Sequence, residues 1–276
     1  MNKTLILAKR NLKEIIRDPL SLAFNVAFPI VMLFVLGLIT DSMEYVPEQF
    51  LINNYSVGIC VFGYTFAMMF TAMLIAEDKN GEFVNRLNMA PISKANYLTG
   101  YYIAVAPVMA AQTALFLLCS CALGLDFSYR LLIAFVYLIP SAILFVVLGV
   151  FIGTVVKNGR QAGPACSILV SVTSMLGGVF MPIDGMGAFT TIANILPFSH
   201  SVRIATGVFN GDYGCIYPHI LWVIGYALAV FAVTVLLCKR KNDSNTCLNS
   251  KESFSRAVVS WSVAVGKRAE VQLQIQ

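Results

Sequence analysis

Six runs of apolar residues, none with a charged side chain near its middle, dominate this sequence: about 20–40, 56–76, 96–124, 130–156, 162–181 and 218–238. A helix of about 20 residues crosses a hydrocarbon core of roughly 30 Å. Inside lipid, every backbone donor needs a partner from the chain itself, so such runs are predicted to be helices. Composition agrees: 58% of the residues are hydrophobic and 12% charged, whereas water-soluble domains hold about 25% charged residues. The alternating pattern of a membrane barrel is absent. The expectation is an all-α integral membrane fold.

The segments between the runs carry the detail. Residues 3–17 read as an amphipathic helix, with Leu5, Ala8, Leu12, Ile15 and Ile16 at helical spacing and basic residues opposite, suited to the membrane interface. Asp18-Pro19 marks a helix start, one residue capping and the other fitting the first helical position. The long basic stretch before the first run does not read as a cleavable secretion signal. Residues 182–217 are neither a clean span nor a polar loop: Pro182, Gly185, Gly187 and Pro197 break up apolar residues. That pattern predicts short helices dipping partway into the bilayer, a re-entrant segment.

Lysine and arginine placement orients the chain. With the N-terminus inside, every one of the 19 basic residues except Arg130 and Arg203 falls on the inner side. The positive-inside rule selects that arrangement, with both termini cytoplasmic.

Equipment for chemistry is missing from the sequence. It holds two histidines, no phosphate-binding glycine loop, no nucleophile elbow and no metal-ligand spacing. Seven cysteines, mostly in or beside apolar runs, do not form a disulfide framework. Basic clusters interleaved with aromatics are lacking, which argues against a nucleic-acid partner. The runs also lack the ionisable residues that proton- or sodium-coupled carriers place at mid-membrane. Their polar residues, among them Asn25, Thr65, Thr71, Gln112, Thr113, Ser141, Thr154, Ser167, Ser171 and Thr173, are expected to bond helix to helix or to line a path.

The richest inter-run segment is 77–95. After Gly81 it turns amphipathic, with Phe83, Val84 and Leu87 on one side and Glu82, Asn85 and Arg86 on another, a pattern able to seat in a partner's groove. Pro91 ends it, and Ser93 can cap the next helix.

This order resembles the membrane subunit of the ABC type-2 transporter family: an elbow helix, six spans, a charged helix in the first inner loop and a broken apolar segment before the last span. Glu77, Gly81, Leu87 and Pro91-Ile92-Ser93 match the family's inner-loop pattern, with Glu82 standing where threonine is common. Gly178-Val179-Phe180-Met181-Pro182 and Leu196-Pro197-Phe198, followed by Arg203, resemble the segments that end and follow the fifth span. The resemblance covers about 1–240 and implies a transmembrane domain over 1–241 with a cytoplasmic tail at 242–276.

It also implies a permease of an ATP-driven exporter, not itself an enzyme, in the plasma membrane. ATP and Mg would sit on separate ATP-binding subunits. A second copy or sibling permease would complete a path for a small hydrophobic, drug-like or peptide substrate. Glu77, Gly81, Glu82, Phe83, Arg86 and Leu87 would couple to the ATPase; Gly177, Gly178, Phe180, Pro182, Pro197 and Arg203 would shape the outer path. A stand-alone secondary transporter or channel is the alternative.

Overall fold

A computed structural model describes residues 3–47, 50–80, 93–178, 180 and 187–238. Among them the structure is helical, without strands: α1 (Lys3–Arg17), α2 (Pro19–Asp41), α3 (Ile52–Asn80), α4 (Lys94–Ala122), α5 (Tyr129–Val155), α6 (Gly159–Leu176), α7 (Ala188–Ile195), α8 (Pro197–Asn210) and α9 (Tyr213–Cys238). The chain divides into two units, Met1–Thr234 and Val235–Gln276.

Five of these helices are long and apolar enough to span a bilayer: Leu22–Asp41, Ile52–Lys79, Ala95–Ala122, Tyr129–Val155 and Tyr213–Cys238. The run at 162–181 corresponds to α6, which is 18 residues long and so about 27 Å at 1.5 Å per residue. It begins on Gly159, Arg160 and Gln161, and those polar residues dilute its apolar character. It is not among the five.

The helix ends follow local chemistry. Pro19 opens α2, and the Asp18 carbonyl accepts the Leu22 N–H at 3.2 Å. Ser93 caps α4 as the sequence predicts, its hydroxyl accepting the Asn96 N–H at 3.2 Å. Gly211 closes α8 at φ 78°, a left-handed position that suits glycine.

Helix α3 is central, packing on α2, α4, α5, α6 and α8. Its contact with α5 is close, and the reason is two glycines one turn apart. A Cβ on Gly149 would lie 2.5 Å from the Met68 carbonyl oxygen, and one on Gly153 would lie 2.7 Å from that of Ala72. In a membrane, small residues let backbones approach where water gives no driving force between helices. By contrast, α2 and α9 leave large apolar side chains such as Phe24, Leu38, Leu221 and Leu228 uncovered, as lipid-facing helices do.

Most polar residues of the spans bond within the bundle. Thr113 donates to the Met109 carbonyl at 2.8 Å, so the Tyr64 hydroxyl must be the donor in its 2.8 Å bond to Thr113 Oγ1. Gln112 Nε2 donates to the Gly63 carbonyl at 3.2 Å. These two bonds join α4 to α3. Thr65, Thr71, Thr154, Ser167 and Ser171 turn back onto carbonyls of their own helices.

Helix α1 packs chiefly on α4. Leu7, Ala8, Asn11 and Ile15 form its buried face, while Leu5, Ile6 and Ile16 stay exposed. The sequence places Leu5, Ala8, Ile15 and Ile16 on one apolar face; the packing divides them between bundle and surroundings. Gly100 permits the approach, since a Cβ there would lie 3.0 Å from Leu7 Cβ.

Candidate functional site

A polar, largely buried cluster lies where α1, α3 and α4 meet. The sequence places Glu77, Asp78 and Lys79 in a loop after the second span. In the structure they form the last turn of α3. The buried stripe Met68, Thr71, Ile75 keeps its helical spacing and carries Asp78 inward. Burying a carboxylate is costly unless it is paired and hydrogen-bonded. Arg10 supplies the pair, with Nη1 donating to Asp78 Oδ2 and Nη2 to Oδ1, both at 2.8 Å. This fork is the strong geometry of arginine and carboxylate.

A relay of hydroxyls completes the cluster. Tyr101 donates to Asp78 Oδ2. Tyr97 then donates to the Tyr101 oxygen at 3.0 Å, because the Tyr101 proton is already committed. Asp78 thus receives bonds from α1 and α4 while standing on α3. Arg10 also reaches Asn11 Oδ1 at 3.0 Å and Glu14 at 2.8 Å. Burial pulls against the charge on Arg10, but the bonds and charge of Asp78 outweigh it and raise the guanidinium above its ordinary value. Burial also raises the Glu14 carboxyl, assisted by the negative charge of Asp78 and opposed by Arg10.

One residue further on, Lys79 ties the same turn of α3 to α5. Its Nζ donates to the carbonyls of Thr154 at 2.7 Å and Val156 at 2.5 Å. Those are terminal carbonyls of α5, where a cation also meets the negative end of the helix dipole. Lys79→Met is expected to keep the stem's packing, lose the cap and lower stability by about 1 kcal/mol. A thermal melt of detergent-solubilised protein would show it, and an unchanged midpoint would count against the cap.

The predicted coupling residues divide. Glu77 is exposed in this turn, and a Cβ at Gly159 would lie 3.1 Å from its Cγ. Gly81, Glu82, Phe83, Arg86 and Leu87 lie outside the described residues, as does Pro182. Gly177 is buried, and its N–H bonds the Thr173 carbonyl at 2.7 Å. Gly178 has φ 71°, and the Phe180 ring meets Phe62 edge-on at 5.4 Å. Pro197 and Arg203 are on α8. The expected broken segment therefore holds two short helices, α7 and α8, among its described residues. Sequence reading alone did not single out Asp78, Tyr97 and Tyr101, and it read Arg10 only as one of several interfacial cations.

Comparison with known proteins decides the family. The family model for ABC-2 type transporters matches residues 2–210. The chain belongs to the ABC-2 type transporter family. The match runs from α1 to the end of α8 and so includes the Arg10–Asp78–Tyr101 cluster. Over 203 residues, 72% of its length, this ABC-2 domain is 21% identical to ABC transporter G family member 23 of Dictyostelium discoideum. The chain spans about 28% of that relative's length. It is thus a multi-pass membrane protein with the membrane domain of an ABC-type transporter, a transport component rather than a catalytic one.

Proposed function

We propose that this ABC-2 domain is the permease subunit of an ATP-driven exporter, and that it receives its partner's motion at the α1–α3–α4 corner. The observation that carries the reading is the Arg10–Asp78–Tyr101 cluster: three helices share one buried carboxylate, three positions before segment 81–92 in the sequence. A push on that segment would act on the end of α3, and Asp78 and Lys79 would pass it to α1, α4 and α5 together. Such a joint can bias a transporter between two arrangements only if the partner binds them with different affinity, which nucleotide binding and hydrolysis would provide.

In this reading the fifth run, including α6, is the fifth of six spans, α1 lies in the membrane interface and both termini are cytoplasmic. The segment carrying α7 and α8 is re-entrant and, with Gly178 and Phe180, shapes the outer end of the path. Residues 81–92 dock on an ATP-binding subunit carrying ATP and Mg. A second copy or sibling completes the path, which suits an apolar, drug-like or peptide cargo because its surroundings hold aromatic and aliphatic side chains.

The direct test is to solubilise the tagged chain gently from its native membrane. An ATPase with a phosphate loop is expected to co-purify, and vesicles holding both proteins are expected to move cargo only with ATP. Transport by the chain alone, driven by an ion gradient, would establish the stand-alone carrier instead.

A further inference from the structure

The chain's two histidines, 19 positions apart, meet in the fold. His200 on α8 and His219 on α9 bring their Nδ1 atoms to 2.7 Å. The protons in this contact can be assigned. His200 Nε2 lies 3.0 Å from the Asn194 carbonyl oxygen at the end of α7. A carbonyl only accepts, so Nε2 of His200 carries the proton, and in the neutral ring Nδ1 is bare. The proton between the rings must then sit on Nδ1 of His219, leaving its Nε2 bare. The two neutral rings are opposite tautomers.

The surroundings make this pair a joint among three helices. The His200 ring stacks on Trp222 of α9, with planes 1° apart and centroids at 5.7 Å. Tyr226, one turn beyond Trp222, donates to the Ile195 carbonyl at 2.6 Å. The last carbonyls of α7 are thus held by one side chain from α8 and one from α9. Ser199 adds a bond to the Ala193 carbonyl at 2.6 Å.

We propose that His200 and His219 form a proton-operated latch, which holds α8 on α9 while the pair carries at most one added proton and opens when both rings are protonated. The first added proton has a place on His219 Nε2 and leaves the Nδ1–H···Nδ1 bond intact. A second would have to occupy Nδ1 of His200. Two N–H groups would then face each other at 2.7 Å with two positive rings in contact.

Among the described residues, no carboxylate contributes to the electrostatics of either ring. The ionised group felt by both rings is Arg203, of like sign. From α7 the His200 ring meets a carbonyl, and from α9 it meets Trp222. Burial holds the His200 imidazole below its ordinary value, with Arg203 adding to the effect and the Asn194 bond opposing it. The sign follows: the closed contact binds protons less well than open rings do. It is therefore complete above the ordinary imidazole value of about 6.5 and is lost as pH falls below it. The side of the membrane that must acidify rests on the topology proposed above; the latch itself does not.

Composition makes the test specific, because the chain has two histidines and two tryptophans. A Trp261→Phe protein, labelled with 15N in its imidazoles and held in lipid nanodiscs, leaves Trp222 as the fluorescent reporter. Between about pH 7.5 and 4.5, a range bracketing free imidazole, imidazole nitrogen shifts and Trp222 emission would be followed together. Opposite tautomers are expected at the high end. On acidification the shared-proton signal should be lost together with a change in Trp222 emission. His219→Phe, which keeps a ring but no nitrogen, leaves His200 on Trp222 without a second cation to face, so that emission change is expected at higher pH. Identical tautomers at pH 7.5, or an unaltered Trp222 response in His219→Phe, would overturn the latch. Neither readout needs an ATPase or cargo, so a failed transport reading would leave this result standing.

Discussion

Asp78→Ala is expected to uncouple the transporter while leaving it in the membrane. The substitution removes the acceptor for both arms of the Arg10 fork and for the Tyr101 hydroxyl. Tyr101 is fully buried, which leaves its proton the Tyr97 oxygen at 3.0 Å in place of a carboxylate. The Arg10 side chain is 32% exposed, and water can recover part of its loss. Truncating one member of a buried pair costs about 3–5 kcal/mol, and partial exposure places this site nearer 2–3 kcal/mol. The spans themselves, held by apolar packing on lipid, would still insert.

On the proposed docking of an ATP-binding subunit, ATP-driven flux is expected to fall tenfold or more while that subunit's ATP hydrolysis continues. Arg10→Ala should cost at least as much, because it leaves the Asp78 carboxylate, 7% exposed, without its cation, and the double variant should lose less than the sum, because the bond is shared. Flux and hydrolysis measured side by side in vesicles would show this. Equal losses of both, or strict additivity, would place the cluster outside the coupling route.

Gly149→Leu is expected to be the most damaging single substitution for folding. Even the Cβ of alanine would stand 2.5 Å from the Met68 carbonyl oxygen and 3.0 Å from Thr71 Cβ. Neither is the far end of a flexible side chain, so α5 must move away from α3. Overpacking of this kind costs about 1–3 kcal/mol for small additions and more for large ones. Gly149→Ala should lower the melting temperature measurably, and Gly149→Leu should abolish the monodisperse peak on size exclusion. Gly225→Ala is the matched control, since nothing lies within 4 Å of its Cβ position; it should change stability by no more than about 0.5 kcal/mol. Similar behaviour of the two sites would contradict the close α3–α5 contact.

How far each feature could be read in advance depends on whether its cause is local. The apolar runs, the start at Asp18-Pro19, the cap at Ser93 and the break before Pro197 all rest on neighbours in the chain, and each appears in the structure. Boundaries moved where a helix continued past its apolar run. Helix α3 extends to Asn80 because Asp78 and Lys79 find partners on other helices. The pairing of Arg10 with a residue 68 positions away, and of His200 with His219, could not be read from spacing, since neither pair belongs to one helix face. Gly149 and Gly153 stand four apart in the sequence, and their meaning came only from the backbone they meet.

Sequence alone thus determined that this chain lives in lipid as helices and that its spans carry almost no charge, because the solvent acts on each segment separately. The tertiary structure decided which few polar side chains are shared between helices. Burial makes an unpaired charge or proton costly, and only packing shows where its partner lies.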